Sequence, residues 1–325
     1  MKIVITGANG YIGARLSQYL SGKGHDIIAA CYPSIPKIGE WGNNFLDLIS
    51  GDIREQKTIE QIAGFQAEAL IHLVSLDHHD SEKEQNYVSQ TNVMPTWNLL
   101  KECTAAGLSK FFYFSTIHVY GKNLIGRIDE NQKPTPYNVY GLTHYMSEEI
   151  CNYYNRKTNT QCTNIRLSNS YGEPVFPDAN CWELIINDLC KSAYLNKEIR
   201  LKSDGTAVRD FVHYSDICKG INQLLTRGEP INKEMNTILF SSGKSINMLE
   251  AAKTVQAVYL NRFGKKIPIF INNKEPWQGE PPANMSHANV ISNDVAKSLA
   301  IVFKKKIEAG ILDLFDYLET TLCQK

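Results

Sequence analysis

The chain has 325 residues, 34 of them basic and 34 acidic, and 43% are hydrophobic. That length supports one large or two modest domains with a full core. The balanced charge excludes a global field that would draw the protein to nucleic acid or an anionic membrane.

The first strand-like run, Lys2-Ile3-Val4-Ile5, has the composition of a buried parallel strand. It breaks at Thr6 into Gly7-Ala8-Asn9-Gly10-Tyr11-Ile12-Gly13, and from Tyr11 to Leu20 apolar residues recur at helical spacing. Strand, glycine turn and helix in that order make a phosphate cradle. Glycine permits a tight turn and close approach, and the helix N-terminus offers unpaired N–H groups and a partial positive charge. The glycines stand three apart, unlike the two-then-three spacing of the standard dinucleotide fingerprint. We expect Gly7, Asn9, Gly10, Tyr11, Ile12 and Gly13 to meet a dinucleotide pyrophosphate.

Further strand-like runs follow at Ile27–Ala30, Asp47–Ile49, Ala69–Leu73, Lys110–Phe114 and Cys162–Leu167, with helix candidates near 55–63, 83–106 and 137–156. This alternation predicts an α/β fold, a parallel sheet with helices on both faces and ligands beyond the carboxyl ends of the strands. After residue 170 the rhythm loosens, with loops expected at Gly172–Pro177 and Glu275–Pro282. We expect residues 1–172 to form a dinucleotide-binding domain to which 210–242 return. Residues 173–209 and 243–325 would form a smaller lobe closing over it. No run approaches the roughly 18 apolar residues of a membrane span, and the chain enters a strand directly instead of a leader. Eight cysteines are scattered without zinc-ligand spacing, so we expect reduced thiols, a cytoplasmic location and no metal.

Several segments, in order along nearly the whole chain, carry a resemblance. They are the glycine turn, Gly51-Asp52-Ile53, His72-Leu73-Val74-Ser75, Thr91-Asn92-Val93, Phe114-Ser115-Thr116-Ile117-His118-Val119-Tyr120-Gly121, Arg166–Gly172 and Val208–His213. Together they resemble the extended short-chain dehydrogenases/reductases that act on sugar nucleotides as epimerases, dehydratases and reductases. The resemblance implies a Rossmann-type doubly wound parallel sheet with a smaller C-terminal substrate lobe. It also implies that Asp52 and Ile53 lie at the adenine, and that Leu73, Val74 and Ser75 lie beneath the nicotinamide ribose and pyrophosphate. Homodimerisation through long helices, here near 85–106 and 140–156, and supply of activated sugars for surface polysaccharides are implied in the same way.

In that family a Tyr hydroxyl exchanges a proton while hydride moves between nicotinamide and a sugar carbon, and a Ser or Thr orients the sugar oxygen. Tyr140 matches the first role and Thr116 the second, with Ser115 and His118 beside it toward the substrate. Asn169 and Arg209 match the residues that meet the diphosphate of a nucleotide-diphosphate sugar; an Arg209 ion pair with Asp210 or Asp216 is the structural alternative. The sequence departs from the pattern at His144, where the family carries Lys to hold the ribose and lower the Tyr pKa. His144 would act there as a weaker, partly charged substitute, or Lys122 would supply the charge, or catalysis would be lost.

At the end of the second strand Cys31 stands where a carboxylate would grip the adenosine ribose. Its absence favours NADP over NAD; Ser34, Lys37 and Arg15 are the available phosphate contacts, though each reads first as ordinary loop or helix surface. No second Arg occurs in 283–289, where His287 is the candidate replacement. Ile117 and His118 provide no carboxylate for an elimination, which disfavours a 4,6-dehydratase. The sequence thus predicts an NAD(P)-dependent nucleotide-sugar reductase or epimerase of the 4-keto type. The 4,6-dehydratase is one alternative, and a catalytically impaired dinucleotide-binding regulatory or scaffold protein is another.

Overall fold

A computed structural model describes residues 1–36, 39–122, 124–232, 236–272, 277 and 289–322. Its centre is a seven-stranded sheet in the order Thr237–Phe240, Gln161–Leu167, Lys110–Thr116, Ala69–His72, Lys2–Thr6, Asp26–Cys31, Asp47–Ser50. Every neighbouring pair is parallel. The chain winds outward from Lys2–Thr6 in one direction and then returns to its other side at Ala69–His72. That reversal opens a crevice beyond Thr6 and His72. Thr6 Oγ1 lies 2.7 Å from the buried His72 Nδ1, which pins the two strand ends together.

Successive strand residues face opposite layers. Ile3, Ile5, Ile27 and Ile71 pack with Leu16 and Leu20 of the helix Tyr11–Ser21 and Ile221 and Leu224 of the helix Tyr214–Thr226. Val4, Ile28, Leu70 and Phe111 pack with Ile59, Leu99 and Ile150 from the helices Gln56–Gly64, Met94–Ala105 and Val139–Lys157. A separate core joins the helices Ile185–Asn196, Met248–Phe263 and Ile307–Leu322 to the short paired strands Ile199–Leu201 and Ile269–Ile271. The strand Thr237–Phe240 comes back from this half of the chain to the edge of the central sheet.

The helical run read as continuous over 83–106 is two helices, Gln85–Asn92 and Met94–Ala105, meeting at Val93. Pro95 has no N–H to donate, and its ring opposes the carbonyl four residues back. Among the described residues no helix is long and apolar enough to cross a membrane.

Candidate active site

The glycine turn is built as a cradle. Gly7 has φ +70°, and the Gly10 N–H donates to its carbonyl at 2.9 Å. A Cβ on Gly13 would overlap the Gly7 carbonyl, so the first helical turn sits directly on the loop. Gly10 is the N-cap and supplies no side-chain cap, leaving the first-turn N–H groups to an anion. These features fit a pyrophosphate. We expect Gly13→Ala to weaken dinucleotide binding at least tenfold, about 1.4 kcal/mol, as measured by calorimetric titration.

The neighbouring residues read from the sequence have structural partners. Asn9 Nδ2 donates to the Tyr32 carbonyl at 2.8 Å, tying the turn to the end of the second strand. The Tyr11 hydroxyl donates to the Gly172 carbonyl at 3.0 Å, and Ile12 packs on the core. Val74 Cγ2 would stand 3.3 Å from a Cβ on Gly7, so the segment after Ala69–His72 closes against the cradle.

At the adenosine end Cys31 is buried, its thiol pushed up to about 11 by desolvation, and it offers no polar group to a ribose. Asp52 is gripped by Arg54 through its guanidinium and through the Arg54 N–H at 2.9 Å, and Arg54 stacks over Tyr87. Ile53 is buried in the core. Arg15 donates to the carbonyls of Glu173 and Pro174 at 3.0 Å and pairs with the Glu173 carboxylate. Arg15 thus takes the structural role that its place on the helix suggested, not a phosphate contact; Lys37 and His287 lie outside the described residues.

Thr116 ends the strand Lys110–Thr116, and its Oγ1 accepts from the His118 N–H at 3.2 Å. Tyr140 begins the helix Val139–Lys157, whose N-cap Asn138 accepts from the Gly141 N–H at 2.8 Å. A Cβ on Gly141 would lie 2.6 Å from the His118 carbonyl, so this glycine lets the helix start close to the strand end. Thr116 and Tyr140 are thereby brought side by side. Burial pushes the Tyr140 phenol up to about 12, opposed by a hydrogen bond with Thr116 and reinforced by the Asp77 charge.

His144 is buried one turn below, edge-on to Tyr140 with ring centroids 4.5 Å apart. Its Nε2 lies 3.1 Å from Ser75 Oγ and its Nδ1 2.9 Å from the Tyr113 hydroxyl. Ser75 donates to the Leu76 carbonyl, so it accepts from Nε2–H while Tyr113 donates to Nδ1. That pattern is one neutral tautomer, assigned from its partners. Burial pushes the imidazole down to about 3. The expected partly charged substitute for lysine is thus a neutral side chain with both nitrogens turned into the protein. Lys122 lies over the Tyr137 ring at 5.1 Å.

Ser115 points to the other face of its strand. Its hydroxyl donates to Glu148 Oε1 at 2.5 Å, and Glu148 pairs with Arg166 at 2.6 Å. Arg166 also donates to the Tyr120 hydroxyl at 2.6 Å. The expectation of substrate contact at Ser115 is corrected accordingly, since successive strand residues point to opposite faces. Tyr113, Glu148 and Arg166 were missed by sequence reasoning. An arginine inside the apolar run Ile165-Arg166-Leu167 was the available signal, because a buried guanidinium requires a partner.

Beyond these strand ends lies a cavity of about 720 Å³, lined among others by His118, Lys122, Asn169 and Arg209. The volume lies within the roughly 300–1,000 Å³ usual for ligand sites. Arg209 donates to the Val208 carbonyl at 2.9 Å. Asp210 is engaged instead by Ser168, Ser242 and the Lys244 N–H, and Asp216 by Lys219 and the Lys305 N–H. Desolvation lowers the Arg209 pKa, a cost that an incoming anion would offset. Asn169 Nδ2 donates to the Asp210 carbonyl at 2.9 Å. His118 faces the cavity with its pKa lowered, first by desolvation and then by Arg209.

Elsewhere Glu173, His213 and Asp313 converge. His213 Nδ1 accepts from the Ser215 N–H at 3.2 Å, which leaves its proton on Nε2, 3.8 Å from Glu173. That tautomer suits a carboxylate partner, not a metal ion.

A glycine cradle at the switch point, with a Thr–Tyr pair between it and a cavity that holds Arg209, is the geometry of a dinucleotide-binding protein of the doubly wound class. Residues 3–237 match the NAD dependent epimerase/dehydratase family. The chain belongs to that family and is an enzyme of its nucleotide-sugar class. It is 26% identical over 315 residues to a UDP-glucose 4-epimerase of Rhizobium meliloti, covering 92% of this chain and 90% of the relative. Its fold matches UDP-glucose 4-epimerase from Thermotoga maritima with UDP-glucose, at TM-score 0.82 and 22% identity, covering 99% and 100% of the two chains. It likewise matches UDP-glucuronic acid 4-epimerase from Bacillus cereus in complex with UDP-glucuronic acid and NAD, at TM-score 0.80, 22% identity and the same coverage.

Proposed function

We propose that this protein moves hydride between a nicotinamide dinucleotide and a carbon of a nucleotide-diphosphate sugar. The observation that carries this reading is the convergence of Thr116 and Tyr140 between the glycine cradle and a cavity in which Arg209 pairs with no carboxylate among the described residues. The bound dinucleotide supplies or accepts the hydride. Thr116 orients the sugar oxygen, Tyr140 gives or takes its proton, and Arg209 and Asn169 hold the diphosphate. His144 and Ser75 position Tyr140 and the ribose-facing segment.

We infer NAD as the dinucleotide. Arg15 and Arg54 are both bound to carboxylates, which leaves neither for a 2′-phosphate, and the Bacillus cereus neighbour holds NAD. Mass spectrometry of the dinucleotide that co-purifies distinguishes NAD from NADP. The function itself is tested by incubating the protein with NADH or NAD and a panel of 4-keto and 4-hydroxy nucleotide sugars. Turnover of none of them would overturn the proposal. We expect Arg209→Ala to raise KM for the nucleotide sugar by about tenfold or more with kcat little changed, the signature of lost ground-state binding; steady-state kinetics checks it.

The protein is further proposed to form a homodimer through the helices Met94–Ala105 and Val139–Lys157. Trp97 and Tyr153 stack on their outer face with 45% and 47% of their surfaces exposed, and Met94, Leu142 and Met146 are exposed nearby. Such a patch fits a pairing surface. Trp97→Glu should shift the protein toward monomer, as read by light scattering. The seven buried thiols among the described residues fit a reducing, cytoplasmic compartment.

A further inference from the structure

We propose that at neutral pH this site is poised for net reduction of a ketone, with Tyr140 as proton donor, and not for the alcohol oxidation that opens a hydride-transfer epimerisation or dehydration. The inference rests on the reading above and narrows its substrate to a keto-bearing nucleotide sugar.

One phenol serves the two directions in opposite forms. To oxidise an alcohol it must already be ionised; to reduce a ketone it must carry its proton. The surroundings of Tyr140 favour the second. His144 meets it edge-on and has both nitrogens engaged by Ser75 and Tyr113. His118 meets it edge-on at 5.7 Å. Thr116 is a neutral hydroxyl, and the charged group that acts on the phenol is the carboxylate of Asp77. Asp77 is held ionised by the N–H groups of His79 and Asp80 and by Asn180. An anion nearby and neutral rings on two sides all disfavour tyrosinate. Burial raises the phenol above its ordinary value, so at neutral pH it keeps its proton.

In the reducing direction no prior ionisation is needed. A bound reduced dinucleotide would supply the hydride, with its electron pair, to the carbonyl carbon, and the C=O π pair would move onto oxygen. Tyr140 gives that oxygen its proton, and water entering by the open cavity past His118 reprotonates the tyrosinate. A ketone, a reduced dinucleotide and a proton become an alcohol and an oxidised dinucleotide. The substrate must then come from a reaction that leaves a ketone on the sugar, such as an oxidation or a dehydration of a nucleotide hexose.

Two measurements test this. The first needs no turnover: ultraviolet tyrosinate absorbance of the wild type minus that of Tyr140→Phe, across pH, for the free and the NAD-loaded protein. We expect no ionisation of Tyr140 below about pH 10; ionisation below about pH 8 in either form would overturn the inference. The second is the pH profile of kcat/KM in both directions. Reduction should be flat from about pH 6 to 9, and oxidation should rise about tenfold per pH unit over that range. His144→Lys should bring both the absorbance step and the oxidation plateau to lower pH. Oxidation that already levels off near pH 7 in the wild type overturns this inference and leaves the proposed function standing. No turnover in either direction overturns both.

Discussion

Tyr140→Phe is expected to lower turnover by about 10²- to 10⁴-fold, the usual weight of a general acid or base. The substitution removes one oxygen from a ring whose position is set by its neighbours, edge-on to His144 and His118. Neither ring contact uses the hydroxyl, so the phenylalanine should take the same place. Dinucleotide affinity, which depends on the backbone of Gly7–Gly13 some distance along the crevice, should be unchanged in calorimetric titration. A parallel loss of binding and turnover would show that the ring, not its proton, matters. Unchanged turnover would remove Tyr140 from the chemistry altogether.

Arg166→Leu is expected to cost about 3–5 kcal/mol of folding stability, the effect of leaving one member of a buried ion pair without the other. Glu148 is 1% exposed and Arg166 5%. Arg166 holds both Glu148 oxygens, through Nε at 2.9 and 3.2 Å and through its terminal nitrogen at 2.6 Å. With the guanidinium gone, the carboxylate keeps the Ser115 hydroxyl as its side-chain partner among the described residues. The pair joins the strand of Thr116, the helix of Tyr140 and the strand Gln161–Leu167. Stability and catalytic geometry should therefore fall together. Denaturant unfolding checks the first. The double variant Glu148→Gln/Arg166→Leu checks the cause, because removing the buried charge as well should recover part of the loss. A single-variant loss below about 1 kcal/mol would mean that the pair is not buried as described.

Much of the molecule was legible along the chain because the signals are local. Lys2–Thr6 reads as a buried strand because a parallel strand covered on both faces needs apolar residues at every position. The turn from Gly7 to Gly13 reads as a cradle because a positive φ and a close backbone approach both call for glycine. The helix from Tyr11 and the strands through Leu167 follow from periodicity alone. The break at Val93 was present in the sequence as Pro95 and was passed over because the apolar spacing continues across it.

The site divides along the same line. Residue types at 116, 140, 169 and 209 could be named from their order in the chain, since a family pattern preserves order. Their working state could not. Whether His144 carries a charge depends on Ser75 and Tyr113, 69 and 31 positions away. Whether Ser115 or Thr116 faces the ligand depends on which side of the strand Glu148 occupies. Whether Arg209 is free for an anion depends on Ser168, Ser242 and Lys244 taking Asp210.

By itself the sequence determined the class of fold and the glycine turn that opens it, and it named Thr116 and Tyr140 as the hydroxyls proposed to exchange a proton. Only the tertiary structure decided that the imidazole beside Tyr140 is neutral, that Arg15 and Arg54 are engaged, and that Ser115, Glu148 and Arg166 are joined in one buried cluster. The reason is physical. Backbone conformation is set largely by neighbours in the chain, whereas desolvation and charge pairing are set by neighbours in space.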